Sequence, residues 1–509
     1  MHTDDAPGPQ HSLVRPLIRA VRRDPAAVAV VDGGVARTYG ELDRLSAEIA
    51  GGLAARGLGP DDVLAVHGER SWERCAAVLG AWRAGLGVVC VDPGMPAPRA
   101  ARIARPCALL VRPDHASPTG LGPAEVSYGE LRGAPLEELR EGTVGYVIPT
   151  SGSTGEPKSV AVPPSVLAAL GDWHVRHWAH DRPPHTLQAA SIGFDVGYEE
   201  IVTTWLAGAA LVVVSDAQRQ DPFALIDLIR EQRVARLFLP VVGLHALATA
   251  AVFEPDAMPD LREIAVAGER LVVNAEVREF CAAAGVALVN EYGPSETHVV
   301  TQYRLDPREA ASWPEHPPVG GAVAGAELLR EADGVLRPFA AGEEAELVVG
   351  GGSVGLGYLG DPDLTARRFR TLPHRDGTPR RTYATGDVVR FDGADFHFVA
   401  RADDQLKVSG YRVEPGEVEA VLGAVPGVRR AVVVAVEVAG SRRLAAVWTP
   451  TGRADGPGPQ ELAAACAERL PAYMVPRHFR PVEDLPVTAN GKVDRAALRA
   501  LFAPARTAV

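Results

Sequence analysis

Short apolar runs alternate with amphipathic stretches through the first two-thirds of the chain. Residues 27–31 are predicted as a strand, turned by Asp32-Gly33-Gly34, and Leu42, Leu45, Ile49 and Leu53 then recur at helical spacing. Further strands are predicted at 88–91, 144–149, 210–214 and 237–239, with helices between them. That alternation implies an α/β fold with a substantially parallel sheet. The uncharged run 237–253 contains Pro240 and His245 and is too short to span a bilayer, so it reads as a buried strand followed by a helix. After about residue 340 the pattern becomes strand-rich, with strands expected at 346–350, 388–391 and 395–399. A second unit is expected from near Asp403, with a helix at 415–421, strands at 430–438 and 443–449, and a helix at 459–470. The expected architecture is a large N-terminal α/β domain of layered subdomains with a smaller β-rich subdomain (1–402), then a small mobile α+β domain (403–509). The charged stretch 400–405 is the candidate hinge, with Asp403 at its centre.

Composition narrows the function. With 52 basic against 64 acidic residues the net charge is −12, which leaves no surplus to neutralise a phosphate backbone and excludes nucleic acid as the natural partner. Five cysteines without a CxxC pair exclude a disulfide framework and imply a reducing compartment. The polar, acidic N-terminus lacks the build of a signal peptide, and a cytoplasmic location without membrane attachment is expected. Of the basic residues only Lys158, Lys407 and Lys492 are lysines, each in polar, Gly-containing sequence. A chain so biased toward arginine that keeps three lysines points to places where a compact ammonium is needed.

The predicted strand 144–149 runs into Thr150-Ser151-Gly152-Ser153-Thr154-Gly155-Glu156-Pro157-Lys158. Glycines let backbone N–H groups turn toward an anion, the hydroxyls add donors and Lys158 adds charge, a set suited to a polyphosphate. It is not a Walker A loop, because Pro157 stands where that motif needs glycine.

This loop resembles the phosphate-binding signature of the adenylate-forming superfamily, which includes acyl-CoA synthetases, luciferases and the adenylation domains of nonribosomal peptide synthetases. The resemblance continues in the family's order through Thr38–Leu42 (TYGEL), Arg83-Ala84-Gly85, Val91-Asp92-Pro93, Phe194-Asp195, Asn290–Glu296 (NEYGPSE), Glu346–Gly350 (ELVVG), Gly357-Tyr358, Thr385-Gly386-Asp387, Arg401–Gln405 (RADDQ), Leu470–Pro476 (LPAYMVP) and Asn490–Arg495 (NGKVDR). It implies ATP and Mg²⁺ as cofactors and formation of an acyl-adenylate, a reaction that is mostly positioning and charge neutralisation. It further implies that Glu296 binds Mg²⁺, Tyr292 stacks on adenine, Asp387 accepts the ribose hydroxyls and Arg401 lies near ribose and phosphate. Lys492 would reach the carboxylate and α-phosphate oxygens, with Lys158, Gly268, Glu269, Asn290, Gly293 and Ser295 completing the nucleotide site. Four positions depart from the family pattern: Ser159, Ala384, Ala400 and Ser409. None carries a role above, although Ser409 bears on the conformation for the second step.

Amino-acid-activating members resemble one another in placing an aspartate where Asp195 follows Phe194, to pair with the substrate ammonium; aryl-acid activators differ there and CoA ligases have no ammonium to pair. Family pocket positions carried over by motif spacing are Val196, Glu199, Phe238, Ala265, Ala267, Glu291, Val299 and Val300, together with Lys492. Glu199 and Glu291 in a mostly small, apolar lining are expected to favour a basic amino acid, the alternative being that one of them points away or is protonated beside an aliphatic substrate. The chain ends soon after the Asn490–Arg495 motif, so it is expected to be free-standing. It would then load the phosphopantetheine thiol of a separate carrier protein, with a small MbtH-type accessory protein as a further candidate partner. An acyl- or aryl-CoA ligase and a silent nucleotide-binding scaffold are the competing readings.

Overall fold

The computed structural model describes residues 12–502 except 123, 153–156, 192, 254–256, 403–404, 409–410, 439–440, 452–455 and 487–492. The chain divides into two compact units, one of residues 1–93, 101–149 and 159–402, the other of 94–100, 150–158 and 403–509.

The larger unit is mixed α/β. Its first sheet has nine strands in the order Gly321–Ala322, Thr301–Leu305, Ala287–Tyr292, Glu263–Val266, Arg236–Leu239, Thr186–Gln188, Leu211–Val213, Val28–Asp32 and Val35–Thr38. The central strands are parallel, and the edges turn antiparallel through the hairpins Val28–Thr38 and Ala287–Leu305. Gly33 and Gly34 make the first hairpin's two-residue turn, both at positive φ (55° and 80°), a conformation that costs glycine nothing. The following helix, Tyr39–Ala55, starts at a reciprocal cap in which Thr38 Oγ1 accepts from Glu41 N–H and Glu41 accepts from Thr38 N–H. Its Leu42, Leu45, Ile49 and Leu53 are buried, as the spacing predicts. A seven-stranded sheet contains Gly87–Val91 and Tyr146–Thr150, and a six-stranded antiparallel sheet contains Glu344–Gly351, Pro379–Phe391 and Phe396–Arg401.

In the smaller unit, strands Val428–Val438, Ser441–Pro450 and His478–Pro481 form one sheet and Leu406–Val408 with Tyr411–Val413 another. The helices Pro415–Gly423 and Pro459–Ala467 contribute Val418, Leu422, Leu462 and Cys466 to its own apolar core. The second helix stops short of the predicted residue 470, and Leu470 is buried in the same core. No helix among the described residues is long and apolar enough to cross a membrane; the run 237–253 is the strand Arg236–Leu239 and the helix Val241–Ala251.

Candidate active site

Three polar groups from distant segments meet at the end of the first sheet. Tyr292, the last residue of strand Ala287–Tyr292, donates its hydroxyl to Asp387 Oδ2 at 2.6 Å, and Arg401 Nη1 donates to Asp387 Oδ1 at 2.7 Å. Asp387 and Arg401 face each other across neighbouring strands, so the β-register sets their pairing. Burial pushes the Tyr292 phenol well up, with the Asp387 charge adding to the shift, and the tyrosine stays neutral. Glu296 lies in the connection between strands Ala287–Tyr292 and Thr301–Leu305, fully buried, and accepts from the Tyr358 hydroxyl at 2.9 Å. A fully buried hard carboxylate suits Mg²⁺, an ion that takes one or two protein carboxylates and completes its shell with phosphate oxygens and water.

The connection carrying Glu296 is tight. A Cβ on Gly293 would stand 1.7 Å from the His298 carbonyl oxygen, and His298 itself holds a φ of 57°. Asn290 donates its amide to the Pro318 carbonyl at 2.7 Å. Ser295 is half-buried, Gly268 is an exposed turn residue at φ 86° and Glu269 beside it is half-buried. In the smaller unit, Ser151 Oγ donates to the Arg412 carbonyl at 3.0 Å and Gly152 N–H to Glu417 Oε2 at 3.2 Å, so donors expected to meet phosphate engage protein oxygens. Thr150 closes its strand as a buried residue, and Lys158 opens the next strand half-buried. Ser153, Thr154, Gly155, Asp403, Ser409 and Lys492 lie outside the described residues.

A second group of charges includes His174, whose ring lies 6.0 Å from that of Phe238, a member of a small apolar cluster. Asp195 and Glu199 stand four residues apart on helix Asp195–Ala207, hence on one face, and Glu291 comes from strand Ala287–Tyr292. Phe238, Ala265 and Val289, projecting from three adjacent strands, pack with Val196. Val299 packs instead with Leu170 and Val323, and Val300 joins the main core, while Ala267 is half-buried just beyond the strand Glu263–Val266. Both glutamates are buried, and their Oε1 atoms converge on one imidazole: His174 Nε2 lies 2.8 Å from Glu199 and 3.5 Å from Glu291. Gln302 Nε2, directly across the antiparallel pair, donates to the same Glu291 Oε1 at 3.0 Å. The outer atoms, Glu199 Oε2 and Glu291 Oε2, are buried and accept no hydrogen bond among the described residues. Burial is the main cause that raises Glu199 to about 7 and Glu291 to about 8, with the Glu199 charge adding to the latter. Burial also holds the His174 imidazole below its ordinary range, so it is neutral near pH 7.

Each acid thus has a protein partner at its Oε1. His174, Gln302 and Tyr358 have no role in the sequence reading above. Tyr358 sits in the Gly357-Tyr358 motif, and His174 left a signal of its own, since Leu167, Leu170 and His174 recur at helical spacing and mark a histidine on the buried stripe of helix Pro164–His177.

Residues 17–359 match the family model of the AMP-binding enzyme, and 417–492 match that of its C-terminal domain. The chain belongs to the AMP-binding enzyme family. This AMP-binding enzyme is 34% identical to tyrocidine synthase 2 of Brevibacillus parabrevis over 94% of its length, spanning 14% of that much longer protein. Among solved structures it is similar to the amide bond synthetase McbA of Marinactinospora thermotolerans, with 26% identity, a TM-score of 0.83, and coverage of 97% of this chain and 100% of that one. It is also similar to holo-PA1221, a nonribosomal peptide synthetase protein with adenylation and carrier domains, at 26% identity and a TM-score of 0.81, covering 96% of this chain and 84% of that one. These likenesses bear out an α/β adenylate-forming fold of nonribosomal-synthetase type.

Proposed function

We propose that this AMP-binding enzyme activates an amino acid carrying a second cationic group and passes it to a carrier protein for nonribosomal assembly of an antibiotic-type peptide. The observation that carries the substrate class is the pair of buried carboxylate oxygens, Glu199 Oε2 and Glu291 Oε2, which accept no hydrogen bond among the described residues. Asp195, one turn away, is suited to the α-ammonium, because a buried ammonium without a counter-charge costs several kcal/mol.

In this reading a substrate carboxylate oxygen attacks the α-phosphorus of ATP, and the bond to the β-phosphate oxygen breaks. Pyrophosphate leaves with that electron pair, and no proton need move. Asp387, held by Tyr292 and Arg401, accepts the ribose hydroxyls. Glu296 would hold Mg²⁺, which when bound would supply charge neutralisation at the phosphates. Lys158 and Lys492 stabilise oxyanion charge as it develops. In the second step a carrier thiolate attacks the acyl carbon and AMP leaves. Holo-PA1221, which joins adenylation and carrier domains, supports a thiol acceptor.

Amino-acid-dependent pyrophosphate exchange tests the proposal with basic and neutral amino acids, aryl acids and fatty acids side by side. A basic amino acid is expected to lead. A leading neutral amino acid would remove the basic class, a leading acid without an amino group would favour a CoA ligase, and no exchange at all would favour a silent scaffold.

A further inference from the structure

Three side chains from separate segments point one atom each at a common centre: His174 Nε2, Glu199 Oε1 and Glu291 Oε1, all within 4.8 Å of one another and all buried. We infer that His174 is a positioning residue that selects the substrate's side-chain cation, by turning the Oε1 atoms of both glutamates inward and leaving their Oε2 atoms as a two-pronged acceptor. The inference rests on the basic-substrate reading above and deepens it.

The bonding tally supports this. His174 occupies Oε1 of Glu199 at 2.8 Å and lies 3.5 Å from Oε1 of Glu291, which Gln302 also occupies at 3.0 Å. Both inner oxygens are therefore engaged, and both outer oxygens are buried acceptors with no donor among the described residues. Two such acceptors fit the donors of a primary ammonium or guanidinium, and a neutral alkyl chain would leave them unpaired, which a buried site penalises. Without the imidazole, two carboxyl groups so close would share a proton with each other and lose their common orientation.

The charges around His174 are accounted for from each packed element. Glu199 and Asp195 come from helix Asp195–Ala207, Arg236 from strand Arg236–Leu239, Glu263 from strand Glu263–Val266, Glu291 from strand Ala287–Tyr292 and His298 from the connection after it. Glu263 is paired with Arg304. Arg236 lies against the Phe238 ring at 5.3 Å and donates to Thr203 Oγ1 at 2.8 Å. Val299 N–H donates to His298 Nδ1 at 2.8 Å, and that nitrogen stands 4.0 Å from Glu199 Oε2, beyond hydrogen-bond reach. Glu199 and Glu291 are thus the acids with spare acceptors, and His174 is the group that bridges them.

The same three atoms could surround a divalent cation, so the test must separate the two. Pyrophosphate exchange is measured on the full chain with lysine and ornithine against norleucine and norvaline, from about pH 6 to about pH 8.5, across the range in which the raised carboxyls ionise. For the wild type, KM for the basic substrate should fall as pH rises while KM for norleucine does not follow. In His174→Leu the basic-to-neutral ratio of kcat/KM should drop at least about tenfold, mainly through KM, and the pH dependence of KM should flatten. His174→Gln, which restores a donor at similar reach, should recover most of the ratio; if the leucine variant fails to fold, the KM–pH profile of the glutamine variant decides. A ratio within about twofold of wild type in His174→Leu would overturn the inference and leave the basic-substrate reading standing. One equivalent of zinc in the purified wild type, lost in both variants, would overturn it in favour of a metal site. A wild type that prefers norleucine would defeat the reading on which the inference rests before any variant is examined.

Discussion

At the scale of single residues, the two glutamates make a prediction whose sign is fixed by burial. Their carboxyls ionise near neutrality in the folded chain, against about 4.5 when exposed, so the folded state binds more protons across that window. Stability without substrate should therefore fall as pH rises from about 5 to about 8, and Glu199→Gln with Glu291→Gln should remove that part of the slope. Melting curves of both proteins across the range check it, and the double variant should also shift exchange toward neutral amino acids of similar length. Lys492→Ala is expected to lower pyrophosphate exchange by about 10²–10³-fold with ATP binding largely kept, because in the proposed reaction the lysine would meet charge that develops in the transition state. An exchange rate equal to wild type would remove Lys492 from the first step. Glu296, Asp387, Tyr292 and Glu291 stand out as candidates in the sequence because each sits inside a contiguous motif. His174, Gln302 and Tyr358 were not legible as partners, because their roles arise only when elements more than sixty residues apart, or opposite strands of a hairpin, come together.

At the scale of elements, the hairpin of Ala287–Tyr292 and Thr301–Leu305 sets the most demanding local geometry. Gly293→Ala would drive a methyl into the His298 carbonyl, 1.7 Å from its ideal position, so either the turn opens or Glu296 shifts. The expected outcome is loss of stability of more than about 2 kcal/mol together with a weaker Mg²⁺ dependence of exchange, read by thermal unfolding and Mg²⁺ titration. Near-wild-type stability would mean that the turn accommodates a side chain. Strand and helix positions were largely readable from periodicity, as in the helix Tyr39–Ala55 and the strand Val428–Val438. Boundaries were less so. The strand expected at 388–391 is the end of the longer Pro379–Phe391, whose first residues alternate with polar ones and whose Thr385-Gly386 interior reads as a turn. Sheet order was not legible at all, since Thr186–Gln188 joins Arg236–Leu239 to Leu211–Val213 against sequence order, and only tertiary packing fixes that choice.

At the scale of the whole molecule, the two-step chemistry makes its own prediction about the stretch 400–405. If the chain bends there between half-reactions, Asp403→Pro fixes one backbone angle and should impair carrier loading more than adenylation. Parallel exchange and thiolation assays check it, and equal loss of both with folding intact would count against a hinge. The convergence of His174 on Glu199 and Glu291 also reaches beyond catalysis, to how such enzymes can be recombined. His174 lies in helix Pro164–His177 and Glu291 in a strand more than a hundred residues later, so a crossover between them inherits half of a mutually dependent pair. A chimera that keeps Glu291 and receives a relative's helix without the histidine would keep the Gln302 hydrogen bond and lose the imidazole that links the two acids. Exchange of 164–207 together with 287–305 should yield soluble, active hybrids more often than exchange of either block alone, which makes heredity of substrate choice in this lineage a matter of linked segments rather than of individual codons.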